Sequence, residues 1–131
     1  MTACHCKTCQ KISGGPFLGF AGLKASDLKW SQQPDMWSIS DIAERGFCKV
    51  CGSAMSMKYA FGGGKIGVTL GTITAADPPL PPIKDHIFLA EKASWFVLPD
   101  DGAAREDDFG GDWRERIARW REQHKQEDRS S

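Results

Sequence analysis

The segment Cys4-His5-Cys6-Lys7-Thr8-Cys9 decides how this chain folds, because it places three thiols within one short turn. A second thiol pair follows far downstream in Cys48-Lys49-Val50-Cys51-Gly52, and the two segments hold all five cysteines of the chain. The spacings C-x-C-x-x-C and C-x-x-C are typical of thiolate clusters, since such sulfurs can converge on one ion at about 2.3 Å, the zinc–sulfur distance. The pattern predicts a zinc site at Cys4, Cys6 and Cys9.

Three protein thiolates leave one position of a tetrahedral zinc open, as a catalytic zinc requires. We therefore predict that Cys4, Cys6 and Cys9 carry any catalysis. The alternative is a closed structural site with a fourth protein ligand, since thiolate-rich zinc is commonly structural. We expect the ring of His5 to point away from the metal, because neighbours on an extended chain alternate faces. His86 is expected to be a buried, hydrogen-bonded histidine.

The downstream pair, Cys48 and Cys51, has the spacing of half a zinc knuckle, in which Gly52 can adopt a positive φ. A free dithiol and a redox-active pair are the alternatives for these two thiols. In a reducing cytosol, closely spaced cysteines are more often metal or redox sites than disulfides, and an odd number suits no closed disulfide set. All five cysteines are thus predicted metal ligands, with one or two zinc ions per chain.

Composition restricts the class of protein. The chain has 131 residues, 40% of them hydrophobic, which is enough for one domain with a real core. Its 17 basic and 17 acidic side chains balance, so no bulk charge favours nucleic acid. The sequence shows no charged-then-apolar leader and no apolar run near the length of a membrane span, about 18 residues. We expect a cytoplasmic protein with no nucleic-acid or membrane partner.

Alternating apolar residues predict a mainly β domain over residues 1–111. A C-terminal helix and tail are predicted over residues 112–131, where Trp113, Ile117, Trp120 and His124 share one helical face. Gly14 is predicted to end any helix that follows the first cysteines. The predicted strands are Phe17–Leu23, Met36–Ile42, Ala54–Phe61, Lys65–Thr74, His86–Ala90 and Ser94–Leu98.

Several segments together resemble the glutathione-dependent formaldehyde-activating enzyme family, whose domain is shared with centromere protein V. The first is C-H-C-x-x-C-Q-K-x-S-G-G-P-F over Cys4–Phe17, and the second is R-G-F-C-x-x-C-G-S over Arg45–Ser53. G-T-I at Gly71–Ile73, H-I-F at His86–Phe88 and E-K-A-S-W-F at Glu91–Phe96 follow in order. Two ordered cysteine motifs make this resemblance specific, which a single C-x-x-C would not.

The resemblance implies a β-tent-like fold of coiled antiparallel sheets and two zinc sites. It implies that the triplet Cys4, Cys6 and Cys9 holds the catalytic zinc. It also implies that Cys48 and Cys51 share a structural zinc with a C-x-C pair from an earlier strand. The implied partner is a small thiol such as glutathione. The implied reaction is of the carbon–sulfur lyase type, on a thiol–formaldehyde adduct.

The sequence departs from the family pattern at its beginning. Family members carry a Gly-x-Cys-x-Cys-Gly strand before the triplet, whereas three residues precede Cys4 here. Three outcomes are open: the Cys48/Cys51 site is empty or filled by other ligands, Cys4 or Cys6 joins it in a single zinc site, or the gene start lies upstream. A missing first strand would expose a sheet edge and favour a homodimer. A truncated relative could also be a non-catalytic, zinc-stabilised interaction module, which is the alternative function.

Overall fold

The computed structural model describes residues 1–130, with side chains described through Lys125. It confirms the predicted mainly β class with a C-terminal helix. The strands are β1 (Thr2–Cys4), β2 (Leu18–Lys24), β3 (Asp35–Trp37), β4 (Ala43–Phe47), β5 (Ala54–Tyr59), β6 (Lys65–Thr69), β7 (Asp85–Ile87) and β8 (Ala104–Arg105). The helices are α1 (Lys7–Ser13) and α2 (Trp113–Ser130), and 3-10 turns cover Ala25–Asp27, Leu70–Thr72 and Leu89–Glu91.

All eight strands form one sheet in the order β3-β4-β5-β6-β2-β1-β7-β8. The strands pair antiparallel except at β1–β7 and β7–β8, which are parallel. The parallel pairs place Cys4 opposite Ile87 and His86 opposite Arg105. Residues from opposite ends of the domain therefore meet at β1. Among the described strands, β3 and β8 are the two edges of the sheet.

Helix α1 starts directly after Cys6, and it was not predicted as a separate element. The Cys6 side chain accepts a hydrogen bond from the Cys9 backbone N–H, which caps the helix start. Gly14 ends the helix in the left-handed conformation with φ 70°, and its N–H donates to the Gln10 carbonyl. The prediction that Gly14 stops the helix is confirmed, and the short helix carries Cys9 inward.

The small core contains the thiols themselves. Cys4, Cys9, Phe20 and Met57 form its buried cluster. Five half-buried side chains pack against that cluster: Cys6, Leu18, Tyr59, Ile87 and Phe88. The first cysteine segment is thus part of the packing that holds the sheet together.

Helix α2 packs on the sheet through rings. The Trp113 ring lies 5.4 Å from that of Tyr59 and 5.3 Å from that of Phe109, in the second case stacked. Ile117, one turn further along, is buried. The predicted apolar face of the helix is therefore the face that packs. Side chains of the predicted tail after Lys125 lie outside the described residues, and no described helix is both long enough and apolar enough to span a bilayer.

Four predicted strands were too long, and one was wrong. Ala54–Phe61 ends at Tyr59, where a turn follows, and His86–Ala90 ends at Ile87, before a 3-10 helix. Met36–Ile42 is a strand only through Trp37, because β4 pairs with it over three residues. Lys65–Thr74 ends at Thr69, where the backbone turns into a 3-10 helix. Ser94–Leu98 forms no strand in the described backbone; its Phe96 ring instead packs 5.9 Å from His5.

Candidate metal centre and adjoining cavity

The structure brings the three predicted thiols of the first segment together. Cys4 ends β1, Cys6 caps α1 and Cys9 lies in its first turn. Their sulfur atoms all lie within 4.8 Å of one another. Cys4 and Cys9 are buried, and Cys6 is half-buried. In the described part of the chain, this is the one group of three or more cysteine, histidine or acidic side chains arranged to hold a metal ion.

The spacing of these sulfurs fits zinc. Sulfurs bound at about 2.3 Å around a tetrahedral zinc stand roughly 3.8 Å apart, so small side-chain movements would suffice. The Cys4 and Cys9 thiols donate hydrogen bonds to Cys6 and hold the pKa of Cys6 far below its ordinary value, to about 2. The pKa of Cys4 is raised by its hydrogen bonds to Cys6 and Cys9 and by burial. Cys6 is therefore the first thiolate, and metal binding would release protons from the others.

Arg45 supplies a buried positive charge beside the sulfurs. It lies on β4, is 7% exposed, and points its Nη2 at the Cys9 Sγ at 3.5 Å. Its Nε has no hydrogen-bond partner among the described residues. The guanidinium would offset the net negative charge of three thiolates around a divalent ion. The sequence signal was R-G-F-C, but Arg45 was not predicted as a site residue.

Gly46, the neighbour of Arg45 on β4, lies where adjacent strands approach closely. The pairing of β4 with β5 shifts register between Gly46 and Phe47. A Cβ at Gly46 would come within 2.4 Å of the Ser56 Oγ and 3.0 Å of the Pro34 Cγ. Only glycine allows this close approach of the strands without displacement of a neighbour.

The residue between the first two thiols begins a buried chain of polar side chains. His5 Nε2 lies 2.9 Å from His86 Nδ1, and His86 Nε2 lies 2.8 Å from Asp101 Oδ2. Because the carboxylate accepts, the network assigns the hydrogen to His86 Nε2, so that His86 Nδ1 accepts from His5 Nε2–H. Burial, the neighbouring His86 and the charge of Lys92 lower the pKa of His5, and the hydrogen bond from His86 lowers that of Asp101.

Both histidines behave as the sequence predicted. His5 is fully buried and lies outside the group of three sulfurs, with its ring against Phe17 and His86. His86 is 2% exposed and hydrogen-bonded at both ring nitrogens. The role of Asp101 was missed, because it lies in an acidic, glycine-rich segment that contains no recognisable site motif.

Gln10 fixes the other side of the cysteine segment. Its Nε2 donates to the carbonyl of His5 at 2.7 Å and to that of Glu91 at 2.9 Å. The backbone N–H of His5 donates to the Ile87 carbonyl at 3.0 Å. The backbone N–H and carbonyl of His5 are thus both hydrogen-bonded, which limits the movement of the Cys4 and Cys6 thiols on either side.

Cys48 and Cys51 lie apart from the first three thiols. Gly52 has φ 78° as predicted, and its N–H donates to the Cys48 carbonyl, which closes a knuckle-like turn. Cys48 is half-buried and Cys51 is exposed, with its Sγ 3.0 Å from the Ser53 Oγ. The hydrogen bond with Ser53 lowers the pKa of Cys51. No further metal-binding side chain within the described range joins this pair in a group of three.

A cavity of about 480 Å³ opens onto Cys4. Its wall is mostly apolar, with Tyr59 beside the thiol and Lys65, Asp85 and Arg116 as the ionisable side chains. Burial, with the nearby sulfurs of the triplet, raises the pKa of the Tyr59 phenol, so the phenol keeps its proton. A larger recess of about 710 Å³ is lined by Met36, Trp37 and Arg45 among others, but none of the three thiols lines it.

Comparison with known proteins agrees with this arrangement. Residues 1–91 match the family described as glutathione-dependent formaldehyde-activating enzyme. An uncharacterized lyase from Schizosaccharomyces pombe is 31% identical over 62 residues, which are 47% of this chain and 45% of that relative. The matched part thus spans about half the length of the curated relative. With its three clustered thiols inside the matched segment, the chain belongs to the glutathione-dependent formaldehyde-activating enzyme family.

Proposed function

We propose that this protein is a zinc-dependent carbon–sulfur lyase that makes or breaks the adduct of formaldehyde with a small thiol such as glutathione. The observation that carries the proposal is the group of Cys4, Cys6 and Cys9, which has three thiols and, among the described residues, no fourth protein ligand. An open coordination position beside a cavity suits a substrate, whereas a closed site would suit a scaffold. Family membership and the lyase-named relative support the same reaction class.

Zinc held by the three thiolates would act as a Lewis acid and lower the pKa of a substrate thiol. The protein contributes the charge balance around that site. Arg45 is buried, and its guanidinium contacts the Cys9 sulfur, so it stabilises the thiolate form of the triplet. The backbone hydrogen bonds around His5 keep the triplet arranged before substrate arrives.

Tyr59 is the candidate proton carrier. In the direction of synthesis, the substrate sulfur forms a bond to the carbonyl carbon of formaldehyde, and the carbonyl oxygen gains the proton that the thiol loses. Tyr59 shares the cavity wall with Cys4 and keeps its phenolic proton because its pKa is raised. Its Oη–H can therefore donate to the developing alkoxide oxygen. The proton that the thiol loses then returns to the phenolate oxygen, so Tyr59 ends the cycle protonated. In the reverse direction the phenol donates to the departing sulfur and receives the hydroxyl proton of the adduct.

Metal content and turnover test this proposal together. The wild-type protein is purified without added zinc and compared with Cys6→Ser and with Cys51→Ser, an exposed thiol outside the triplet. We expect Cys6→Ser to lose the zinc bound by the triplet, as measured by elemental analysis. Its rate of formaldehyde release from S-hydroxymethylglutathione should fall by at least about 100-fold. Cys51→Ser should keep the activity. Retained turnover in metal-free Cys6→Ser protein would refute the mechanism.

A non-catalytic role as a zinc-stabilised interaction module is favoured by one observation. Cys4 and Cys9 belong to the buried core cluster, so a metal there would stabilise the fold whether or not it takes part in a reaction. This alternative predicts that removal of zinc unfolds the protein. It also predicts that the zinc-bound protein does not accelerate the release of formaldehyde from any thiol adduct. The zinc assignment of Cys48 and Cys51 remains a proposal, and a second zinc lost only in Cys51→Ser would support it.

A further inference from the structure

The cavity next to Cys4 is completed by a part of the chain that the family match does not cover. The match ends at residue 91, whereas Phe109, Trp113 and Arg116 line the cavity from the loop before α2 and from α2 itself. The opposite wall comes from the sheet and contains Phe20, Met57, Ile66 and Ile87. Helix α2 therefore covers this cavity, and its side chains lie outside the segment that matches the family.

Arg116 contributes a positive charge to the wall of this cavity. Its guanidinium carbon lies 4.8 Å from the centre of the Trp113 ring and 5.6 Å from that of Phe61, so two cation–π contacts help to hold it in place. One of its five N–H donors is used by the Phe61 carbonyl at 3.1 Å. Among the side chains that the structure describes, no carboxylate forms an ion pair with it. A half-buried guanidinium that is held in place and unpaired is suited to an incoming oxyanion.

The balance of charge and surface indicates the class of ligand. Lys65 and Arg116 are the cations of the wall and Asp85 is its acid, so the ionisable side chains other than cysteine carry a single net positive charge. Asp85 also accepts a hydrogen bond from Thr2, which keeps it in place as a repulsive group toward a second anion. The remaining wall is predominantly apolar and aromatic. A ligand with an apolar body and one carboxylate matches this wall better than a dianion.

We infer that the cavity binds the non-reacting part of the substrate, an apolar or aromatic group that ends in one carboxylate, and that Arg116 on α2 is the anchor of that carboxylate. The inference rests on the proposed function for the position of the reacting sulfur at Cys4. It adds that substrate selectivity is set by α2, outside the two cysteine segments. The implied substrate is the formaldehyde adduct of a monocarboxylic thiol with an apolar body, a narrower class than the small thiols of the proposed function and one that glutathione, with two carboxylates, fits less well.

Direct binding of a probe without a thiol tests the anchor independently of zinc and turnover. The full chain is titrated by calorimetry with 3-phenylpropionate and with 3-phenylpropan-1-ol, which has the same body without the charge. We expect the acid to bind the wild-type protein about tenfold more tightly than the alcohol, since a half-buried charge pair contributes on this scale. Arg116→Gln should remove that difference, and Arg116→Lys should keep part of it. Arg119→Gln, an exposed arginine on the same helix, should leave it unchanged.

Two results would overturn the inference. One is equal or absent binding of acid and alcohol by the wild-type protein, which needs no variant to fold. The other is an equal loss for Arg119→Gln and Arg116→Gln, which would reduce the effect to the general charge of the helix. Lyase activity without probe binding would remove the anchor and leave the proposed function intact. Probe binding without lyase activity would refute the proposed function and leave the role of Arg116 as an anion anchor intact.

Discussion

Replacement of His86 by alanine should destabilise the protein and weaken the metal centre together. The imidazole is 2% exposed and bridges His5 and Asp101 through hydrogen bonds of 2.9 Å and 2.8 Å. His86→Ala leaves the His5 Nε2–H buried without an acceptor, which costs about 1–3 kcal/mol. The space vacated by the ring adds about 2 kcal/mol. We expect a total loss of about 3–5 kcal/mol in the free energy of unfolding, a large share of the stability of a domain this size.

Guanidinium unfolding, followed by tryptophan fluorescence, measures the loss of stability. Asp101→Ala provides a graded comparison, because water can replace the partly exposed carboxylate, and it should cost about 1 kcal/mol. Val97→Ala is the control: Val97 is 85% exposed and next to Phe96, and its replacement should change stability by less than about 0.5 kcal/mol.

Zinc affinity supplies a second readout for the same variant. His5 lies between Cys4 and Cys6, so release of its ring should loosen both thiols. Loss of a supporting hydrogen bond around a metal site typically costs about 10–100-fold in affinity. We expect His86→Ala to bind zinc at least about tenfold more weakly in competition with a chelator. An unfolding midpoint and a zinc affinity equal to those of the wild type would refute the role assigned to the His5–His86–Asp101 chain.

Two further predictions address the thiols and the strand that positions Arg45. In metal-free Cys51→Ser protein at about pH 6, where an ordinary thiol is almost fully protonated, Cys6 should react readily with iodoacetamide because its lowered pKa keeps it a thiolate, and zinc should protect it. Mass spectrometry locates the label, and a rate for Cys6 no higher than that for Cys48 would contradict the assignment. Gly46→Ala should lower stability by about 1–3 kcal/mol, because the new Cβ meets Ser56 at 2.4 Å, whereas Gly22→Ala meets nothing within 4 Å. Thermal unfolding compares the two variants, and equal melting temperatures would show that β4 and β5 separate without cost.

The sequence predicted those parts of the site that depend on local spacing. Cys4, Cys6 and Cys9 meet because one turn of chain brings them together, and Gly14 and Gly52 adopt the positive φ that their turns require. Such features need no knowledge of the rest of the fold.

The sequence did not show the contacts between distant segments. Arg45 reaches Cys9 across 36 residues, and His86 reaches His5 across 81. Neither contact can be read from periodicity, since it requires the order of the strands in the sheet. For the same reason the apolar segment Ser94–Leu98 was wrongly predicted as a strand: its Phe96 ring packs against the buried His5, and no neighbouring strand pairs with it in the described backbone.

The parallel pairing of β1 with β7, and of β7 with β8, means that this part of the sheet cannot form until late in translation. The thiol-bearing segment leaves the ribosome before its partners in β7 and β8, which lie at Asp85–Ile87 and Ala104–Arg105. At about 5–20 residues per second, translation takes roughly 5–20 seconds to cover that interval. During this time the thiols lack the packing that β7 and β8 provide, so oxidants and other metal ions can compete for them before the sheet closes.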